Sequence, residues 1–256
     1  MAGSEASAAF AEGVPCWVDA QLPDVAAGQR FYGELFGWTF EAFEEGYGVS
    51  ASPVPAASSV PSVRALLEGE PVAALAPKRD GRMPTVWTVY FATPDAAALA
   101  DRIEEAGGQV ITAPVPVGPY GTTALAADPE GAVFGLWEGD THPGFGKRHG
   151  PGSFGWAELY TRDTAAANSF YGDLFHEALF GDGATPDFGR APVSDVFPAE
   201  MPPHFLVHFG VADCDAVLGT VVRLGGRIQA PPFDASYGRV AVVTDNQGAS
   251  FAVLQR

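Results

Sequence analysis

The chain contains two copies of one pattern, and that repeat limits its fold more than any other property of the sequence. Residues 13–36 read GVPCWVDAQLPDVAAGQRFYGELF and residues 152–175 read GSFGWAELYTRDTAAANSFYGDLF. Both carry a tryptophan (Trp17, Trp156), an acid two positions on (Asp19, Glu158), then Asp-x-Ala-Ala and Phe-Tyr-Gly-acid-Leu-Phe. A second block repeats in the same order, EAGGQVITAP at 105–114 and RLGGRIQAPP at 223–232. Behind it Tyr120-Gly121 matches Tyr237-Gly238, Asp128 matches Asp245, and Gly131 matches Gly248. The first block is offset by 139 residues and the second by 117, so the second copy lacks about 22 residues in its middle. Two blocks repeated in one order imply a duplicated structural unit. The expected organisation is a disordered tail over 1–10, one domain over 11–138, a Gly/Pro-rich linker over 139–151 and a second domain over 152–256.

Each copy has the same order of elements. Trp17, Asp19 and Gln21 alternate with Val18, Ala20 and Leu22, the period of a strand. Asp24 then caps a helix that carries Phe31, Tyr32, Leu35 and Phe36 at helical spacing. A strand over 85–93 follows, then a helix from Asp95 that ends at Gly107-Gly108. Strands over 122–127 and 132–138 are joined by an Asp-Pro-Glu-Gly turn. Strand–helix–strands thus occurs four times. The Pro/Ser stretch at 50–62 reads as an exposed loop or a lid over a pocket.

The strand, the D-x-x-A-x-x-x-FY-x-x-LFGW helix, the AGG-x-V helix end and the DP-x-G-x-x-F-x-L-W hairpin together resemble the vicinal oxygen chelate superfamily, over nearly the whole chain beyond residue 12. That superfamily includes glyoxalase I, bleomycin- and fosfomycin-resistance proteins and extradiol dioxygenases. The resemblance is nearest to two-domain members of actinobacterial type, labelled glyoxalase-like or hydroxylase, some of them in aromatic polyketide pathways. It implies an α+β fold of two tandem glyoxalase-like domains, each built from two βαβββ units whose sheet curves around a cup.

The resemblance also implies where a metal would bind. Metal-dependent members place His, Gln or Glu ligands at positions that fall here on Trp17 and Trp156, Thr88 and Leu206, and Gly135 and Ala252. None of these side chains is a donor to a divalent ion. No metal and no cofactor are therefore expected.

Residues two apart on a strand share a face, so Asp19 and Glu158 face the cups if the tryptophans do. In HFLVHFGV, Phe205, Val207 and Phe209 suit a helix-packed face, and His204, Leu206 and His208 suit the cup. His208 matches Tyr90 of the first copy. A histidine beside a carboxylate in an apolar pocket is material for acid–base catalysis, so His208 is the candidate base and Glu158 its partner, an adjacent carboxylate raising the histidine's pKa. Trp17, Asp19, Thr88, Tyr90, Trp156, Tyr160 and His204 are the candidate ligand-binding residues. Other readings stand beside these: the tryptophans as core, the two acids as strand-end hydrogen bonders, His204 at an exposed strand start, His208 as a core histidine. His142 and His149, in the linker, are expected to be solvated. Cys16 and Cys214 are expected to be plain buried thiols.

Composition narrows the partners. Lys plus Arg number 14 against 31 Asp plus Glu, a formal charge of −17 that repels nucleic acid and anionic membrane surfaces. The first residues have neither a basic nor an apolar region, so a cytoplasmic protein is expected, a monomer or weak homodimer with a small-molecule ligand. Two functions follow. One is metal-independent binding of an apolar, aromatic or polyketide-like compound in an aromatic cup, for sequestration, resistance or cofactor-free acid–base tailoring. The alternative is a metal-dependent glyoxalase I-like lyase acting on an α-ketoaldehyde thiol adduct.

Overall fold

A computed structural model of the chain describes residues 10–43, 62–78, 81, 84–184, 187–198 and 200–256. The loop read at 50–62 lies outside the described residues apart from Ser62, as does the tail apart from Phe10. Phe10 packs edge-on against Phe145, 6.4 Å between centroids.

The first half runs β1 (Pro15–Leu22), α1 (Val25–Phe36), β2 (Thr39–Ala42), β3 (Val63–Leu67), β4 (Glu70–Pro77), β5 (Trp87–Ala92), α2 (Ala96–Glu105), β6 (Gln109–Val117), β7 (Gly121–Ala127) and β8 (Val133–Gly139). The second runs β9 (Phe154–Thr161), α3 (Thr164–Leu174), α4 (His176–Phe180), β10 (Phe188–Pro192), a 3-10 turn (Val193–Asp195), β11 (His204–Gly210), α5 (Cys214–Arg223), β12 (Arg227–Ala235), β13 (Gly238–Thr244) and β14 (Ser250–Gln255). The sheets have the orders β2-β3-β4-β1-β5-β8-β7-β6 and β10-β9-β11-β14-β13-β12. In each, the first strands of two units meet antiparallel at the middle, β1 on β5 and β9 on β11. This is the α+β class the sequence implies. The third unit is abbreviated: among the described residues one strand, β10, follows α3, where the first unit has three strands after α1. That is where the 22 residues are missing.

An aspartate opens each unit's helix for one electrostatic reason. The N-terminal N–H groups of a helix have no partner within it, and an Asp carboxylate supplies one. Asp24, Asp95, Asp163 and Asp213 each accept from the third residue on, Ala27, Ala98, Ala166 and Ala216.

Both sheets and the helices share one continuous core, which also takes in Trp17, Tyr90 and Trp137 of the first half. Phe205 meets Phe91 and Phe134 of the first half at 5.8 and 6.2 Å, and Phe209 meets Trp87 at 5.0 Å. Phe205, Val207 and Phe209 are thus the helix-side face of β11, as their alternation indicates. The helices cross between halves. Tyr32 of α1 donates its hydroxyl to Asp245 in the β13–β14 turn at 2.9 Å, and Tyr171 of α3 donates to Asp128 in the β7–β8 turn at 3.1 Å. Each half's Phe-Tyr helix is therefore fastened to the other half's final turn.

The joining segment is packed rather than solvated. Phe145 is buried and His142 is only 2% exposed, correcting the expectation for His142. His142 is drawn in because its ring fits against Trp17 and Trp137 at 4.3 and 5.8 Å. His149 stays half-exposed but bonds Asp187 through Nε2 at 2.8 Å. Cys16 and Cys214 are buried, and burial pushes both thiols up. No helix among the described residues is long and apolar enough to cross a membrane.

Candidate functional site

The concave face of the second sheet is built from β9 and β11. Their register sets Trp156 opposite His208, Glu158 opposite Leu206 and Tyr160 opposite His204. These residues share one face because they are spaced by two on paired strands. Around them Val193, Phe197, Val240, Val242, Ala252 and Leu254 form an apolar cluster separate from the main core.

Glu158 is the polar centre of this cup. The Trp156 indole N–H donates to its Oε2 at 2.6 Å, and the Tyr237 hydroxyl also bonds to it. Tyr237 stacks on Trp156, 5.6 Å between centroids. Burial raises the Glu158 pKa, and the bonds from Trp156 and Tyr237 oppose this. Opposite Glu158 on β10 lies Gly189, where a Cβ would stand 2.6 Å from the Trp156 ring. Only glycine lets the Trp156–Glu158 pair fold down onto that strand.

His208 is fully buried, with its ring 6.0 Å from Tyr237. Neither ring nitrogen makes a hydrogen bond of good geometry, although the Leu206 and Trp156 backbones lie close enough to favour the protonated ring. Burial pushes its pKa down to about 3, so it is neutral at pH 7. The sequence reading expected the opposite direction. Glu158 does not reverse it, because its bonds go to Trp156 and Tyr237 and desolvation of the imidazolium dominates. His204 sits at the cup's rim, partly buried, with Nδ1 against the Pro202 carbonyl at 2.8 Å and its ring near Tyr160 and Phe197 at 5.7 and 4.8 Å.

The first cup is the counterpart. Trp17 pairs with Tyr90 and Asp19 with Thr88. The Tyr90 hydroxyl donates to Asp19 Oδ2 at 3.0 Å, and burial lifts the Asp19 pKa to about 7. Asp19 Oδ1, Thr123 Oγ1 and His142 Nε2 are buried without partners. Burial takes His142 down to about 4. Phe43 packs on Tyr120 at 5.4 Å and faces His142 at 6.3 Å.

Register also corrects one of the implied ligand positions. Three donors to one ion must be lateral neighbours, and the lateral rows are Trp17–Tyr90–Gly135 and Trp156–His208–Ala252. The middle places are Tyr90 and His208; Leu206 stands opposite Glu158 and Thr88 opposite Asp19, one row away. Of these six residues only His208 can ligate a divalent ion. Among the described residues no group of three His, Cys, Asp or Glu side chains is placed to hold one. In the first cup the third position is filled as well: a Cβ on Gly135 would stand 2.1 Å from the Tyr90 ring. The residues present do not fit the metal centre of the dioxygenases and glyoxalases. Gly135→Ala should accordingly displace Tyr90 and lower stability by about 1–3 kcal/mol, read by urea unfolding; an unchanged midpoint would show that the Tyr90 ring does not lie over Gly135.

Tyr237, Phe197 and His142 were missed as site residues. Tyr237 was visible in the repeat with Tyr120. Phe197 and His142 come from connecting segments with no periodicity.

Comparisons with known proteins agree with this architecture. A family model described as "Glyoxalase/Bleomycin resistance protein/Dioxygenase superfamily" matches residues 17–136. The anthracycline biosynthesis protein DauV of Streptomyces sp. (strain C5) is 38% identical, with 96% of this chain and 94% of that protein covered. CFP32 of Mycobacterium tuberculosis (strain CDC 1551 / Oshkosh), a candidate glyoxylase by name, is 34% identical over 96% of each chain. The Mn(II)-bound glyoxalase from Novosphingobium aromaticivorans aligns with TM-score 0.62 at 14% identity, covering 96% of this chain and 83% of that one. The 2,3-dioxygenase LapB from Pseudomonas sp. KL28 aligns with TM-score 0.58 at 15% identity, covering 96% and 93%. The structural likenesses speak for the fold alone; the family model and the full-length relatives place this chain in the glyoxalase/bleomycin-resistance/dioxygenase superfamily, the vicinal oxygen chelate superfamily.

Proposed function

We propose that the chain binds a flat, largely apolar ring compound of aromatic polyketide type in its second cup, without a metal ion. The observation that carries this reading is the row Trp156–His208–Ala252, which puts an indole and a methyl group where two metal donors would stand. Trp156 and Tyr237 offer the ligand a stacked aromatic wall, and Phe197 and Leu206 offer apolar contact. Glu158 accepts a hydrogen bond from a ligand hydroxyl or phenol. His208, held neutral, gives a single polar contact.

Two relatives, DauV and DnrV of Streptomyces peucetius, are named as anthracycline biosynthesis proteins, which favours a polycyclic aromatic ketone as the ligand class. The site suits binding better than base catalysis by His208, since a general base works best with a pKa near the working pH. If proton transfer occurs, Glu158, pushed upward by burial, is the better-placed group. The chain acts as a monomer or weak dimer in this reading, since each cup is built within one chain.

Titration with alizarin, a hydroxylated anthraquinone, followed by tryptophan fluorescence, tests the reading. Trp156→Ala should weaken binding by at least about tenfold, and His208→Gln by no more than the roughly 1–3 kcal/mol of one polar contact. Equal affinity for the wild type and Trp156→Ala would remove the second cup as the site. A fall in turnover of about 10²–10⁴ in His208→Gln, on a substrate once known, would make His208 catalytic instead.

A further inference from the structure

A cavity of about 170 Å³ lies where β9 begins and β11 and β14 end, beside the segment that joins the halves. Trp156, Glu158 and His208 do not line it, so it is distinct from the second cup, although Leu254 contributes to both. Glycine makes the space. Pro151 of the joining segment bridges to Gly210 on β11, and a Cβ on Gly210 would stand 2.4 Å from the Gly150 carbonyl oxygen. Gly155 on β9 leaves a further side open, the nearest side chain being Leu254, 3.5 Å from where a Cβ would be.

Two basic side chains line this space, Arg256 and His149. Arg256 is exposed, and its Nη2 donates to the Gly155 carbonyl at 3.1 Å. Among the described residues no carboxylate pairs with it. A guanidinium tethered by one nitrogen keeps most of its N–H donors for a ligand. His149 is held at the cavity wall against the preference of its backbone, with φ at +66°. Three contacts fix it there. Its N–H donates to the Phe154 carbonyl at 2.6 Å, its Nε2 bonds Asp187 Oδ1 at 2.8 Å, and Arg148 holds the other Asp187 oxygen while lying 5.0 Å over the Phe10 ring. A carboxylate paired with an arginine is an acceptor, so Nε2 carries the ring proton. Backbone strain that the surroundings impose in this way clusters at ligand sites.

We propose that this cavity binds the carboxylate of a small organic acid, with Arg256 as the cation that receives it and Pro151, Val211 and Leu254 as the wall for a short apolar body. The planar guanidinium fork matches the two oxygens of a carboxylate. The apolar wall favours a carboxylate over free phosphate, which has no apolar body to lay against it. A cavity of about 150 Å³ admits a benzene ring, so the acid is of benzoate size or smaller. His149, tied to Asp187, is kept from swinging across the space. This inference does not depend on the second-cup reading, because the two sites share only Leu254.

Isothermal titration calorimetry of the full chain with sodium benzoate, in a buffer free of phosphate and carboxylates, tests it. The wild type should take one benzoate per chain. Arg256→Gln should weaken binding by at least about tenfold, the loss expected for a hydrogen-bonded charge partner. Arg256→Lys, which keeps the charge without the fork, should weaken it less. Arg256 is exposed, so both variants keep the fold. Trp156→Ala, in the second cup, should leave the affinity within about twofold. Equal affinity in the wild type and Arg256→Gln overturns the inference, and so does the absence of binding at millimolar benzoate. Binding lost in Trp156→Ala and kept in Arg256→Gln puts benzoate in the second cup and overturns it as well. An Arg256-dependent site that takes phosphate as tightly as benzoate overturns the carboxylate assignment.

Discussion

Replacing Asp245 by alanine is expected to lower the unfolding free energy by about 3–5 kcal/mol, and Asp128→Ala by a similar amount, because each removes a buried acceptor with several donors. Asp245 Oδ1 accepts the backbone N–H groups of Gln247 and Ala249, both at 2.8 Å, and its Oδ2 accepts the Tyr32 hydroxyl. Asp128 takes the N–H groups of Glu130 and Ala132, both at 2.9 Å, and the Tyr171 hydroxyl. Both tyrosines are fully buried, so an alanine leaves each hydroxyl without its acceptor in a dry core. Tyr32 also receives the Trp87 indole N–H at 3.0 Å, and that bond survives the change. Tyr32→Phe and Tyr171→Phe keep the turn bonds intact and should cost only about 1–2 kcal/mol. Urea unfolding followed by circular dichroism reads all four. Because one apolar core joins the two halves, each alanine variant should still unfold in one transition. A loss under about 1 kcal/mol in Asp245→Ala would show that the turn holds its shape without its aspartate.

Asp19→Asn is expected to stabilise the protein by up to about 4 kcal/mol at pH 9 and by only about 1–2 kcal/mol at pH 5, the reverse of an ordinary buried-residue substitution. Asp19 is only 5% exposed, and its folded pKa is raised to about 7. The unfolded carboxyl loses its proton near pH 4, so between pH 4 and pH 7 the folded state holds the extra proton. Stability from this group is therefore complete below about pH 4 and declines as pH rises to 7. Asparagine accepts the same Tyr90 hydroxyl and carries no charge to desolvate. Among the described residues the groups beside Asp19 are Tyr90, Thr88 and Ala74, and none is a cation that could compensate the carboxylate. His142 and His208 act in the other direction. Their folded values, about 4 and about 3, lie below that of an unfolded histidine, so they lower stability as pH falls below about 6.5. Melting temperatures of wild type and Asp19→Asn from pH 5 to pH 9 separate these contributions. A constant difference across that range would mean that Asp19 is ionised throughout.

The repeat made the fold legible. Asp24, Asp95, Asp163 and Asp213 all head helices, and the alternation of Phe205, Val207 and Phe209 correctly gave the packed face of β11. Periodicity is a local property, and these are local facts. The site was less legible because it depends on lateral neighbours. Counting along a strand put Thr88 and Leu206 in the ligand row, whereas strand register puts Tyr90 and His208 there. The direction of the His208 pKa is set by its complete burial, and Glu158, whose hydrogen bonds go to Trp156 and to Tyr237 from a turn far along the chain, does not offset it. His142 reads as a solvated linker residue until Trp17 and Trp137 are seen to close on it.

The central claim is a ligand site that works without a metal, and one paired measurement addresses it: elemental analysis of the purified chain, with alizarin binding before and after exhaustive chelation. The account predicts no divalent ion near stoichiometry, and the same dissociation constant and melting temperature on both sides of the chelator treatment. An ion near one per chain that survives dialysis, with binding lost on its removal and restored by its return, would contradict it.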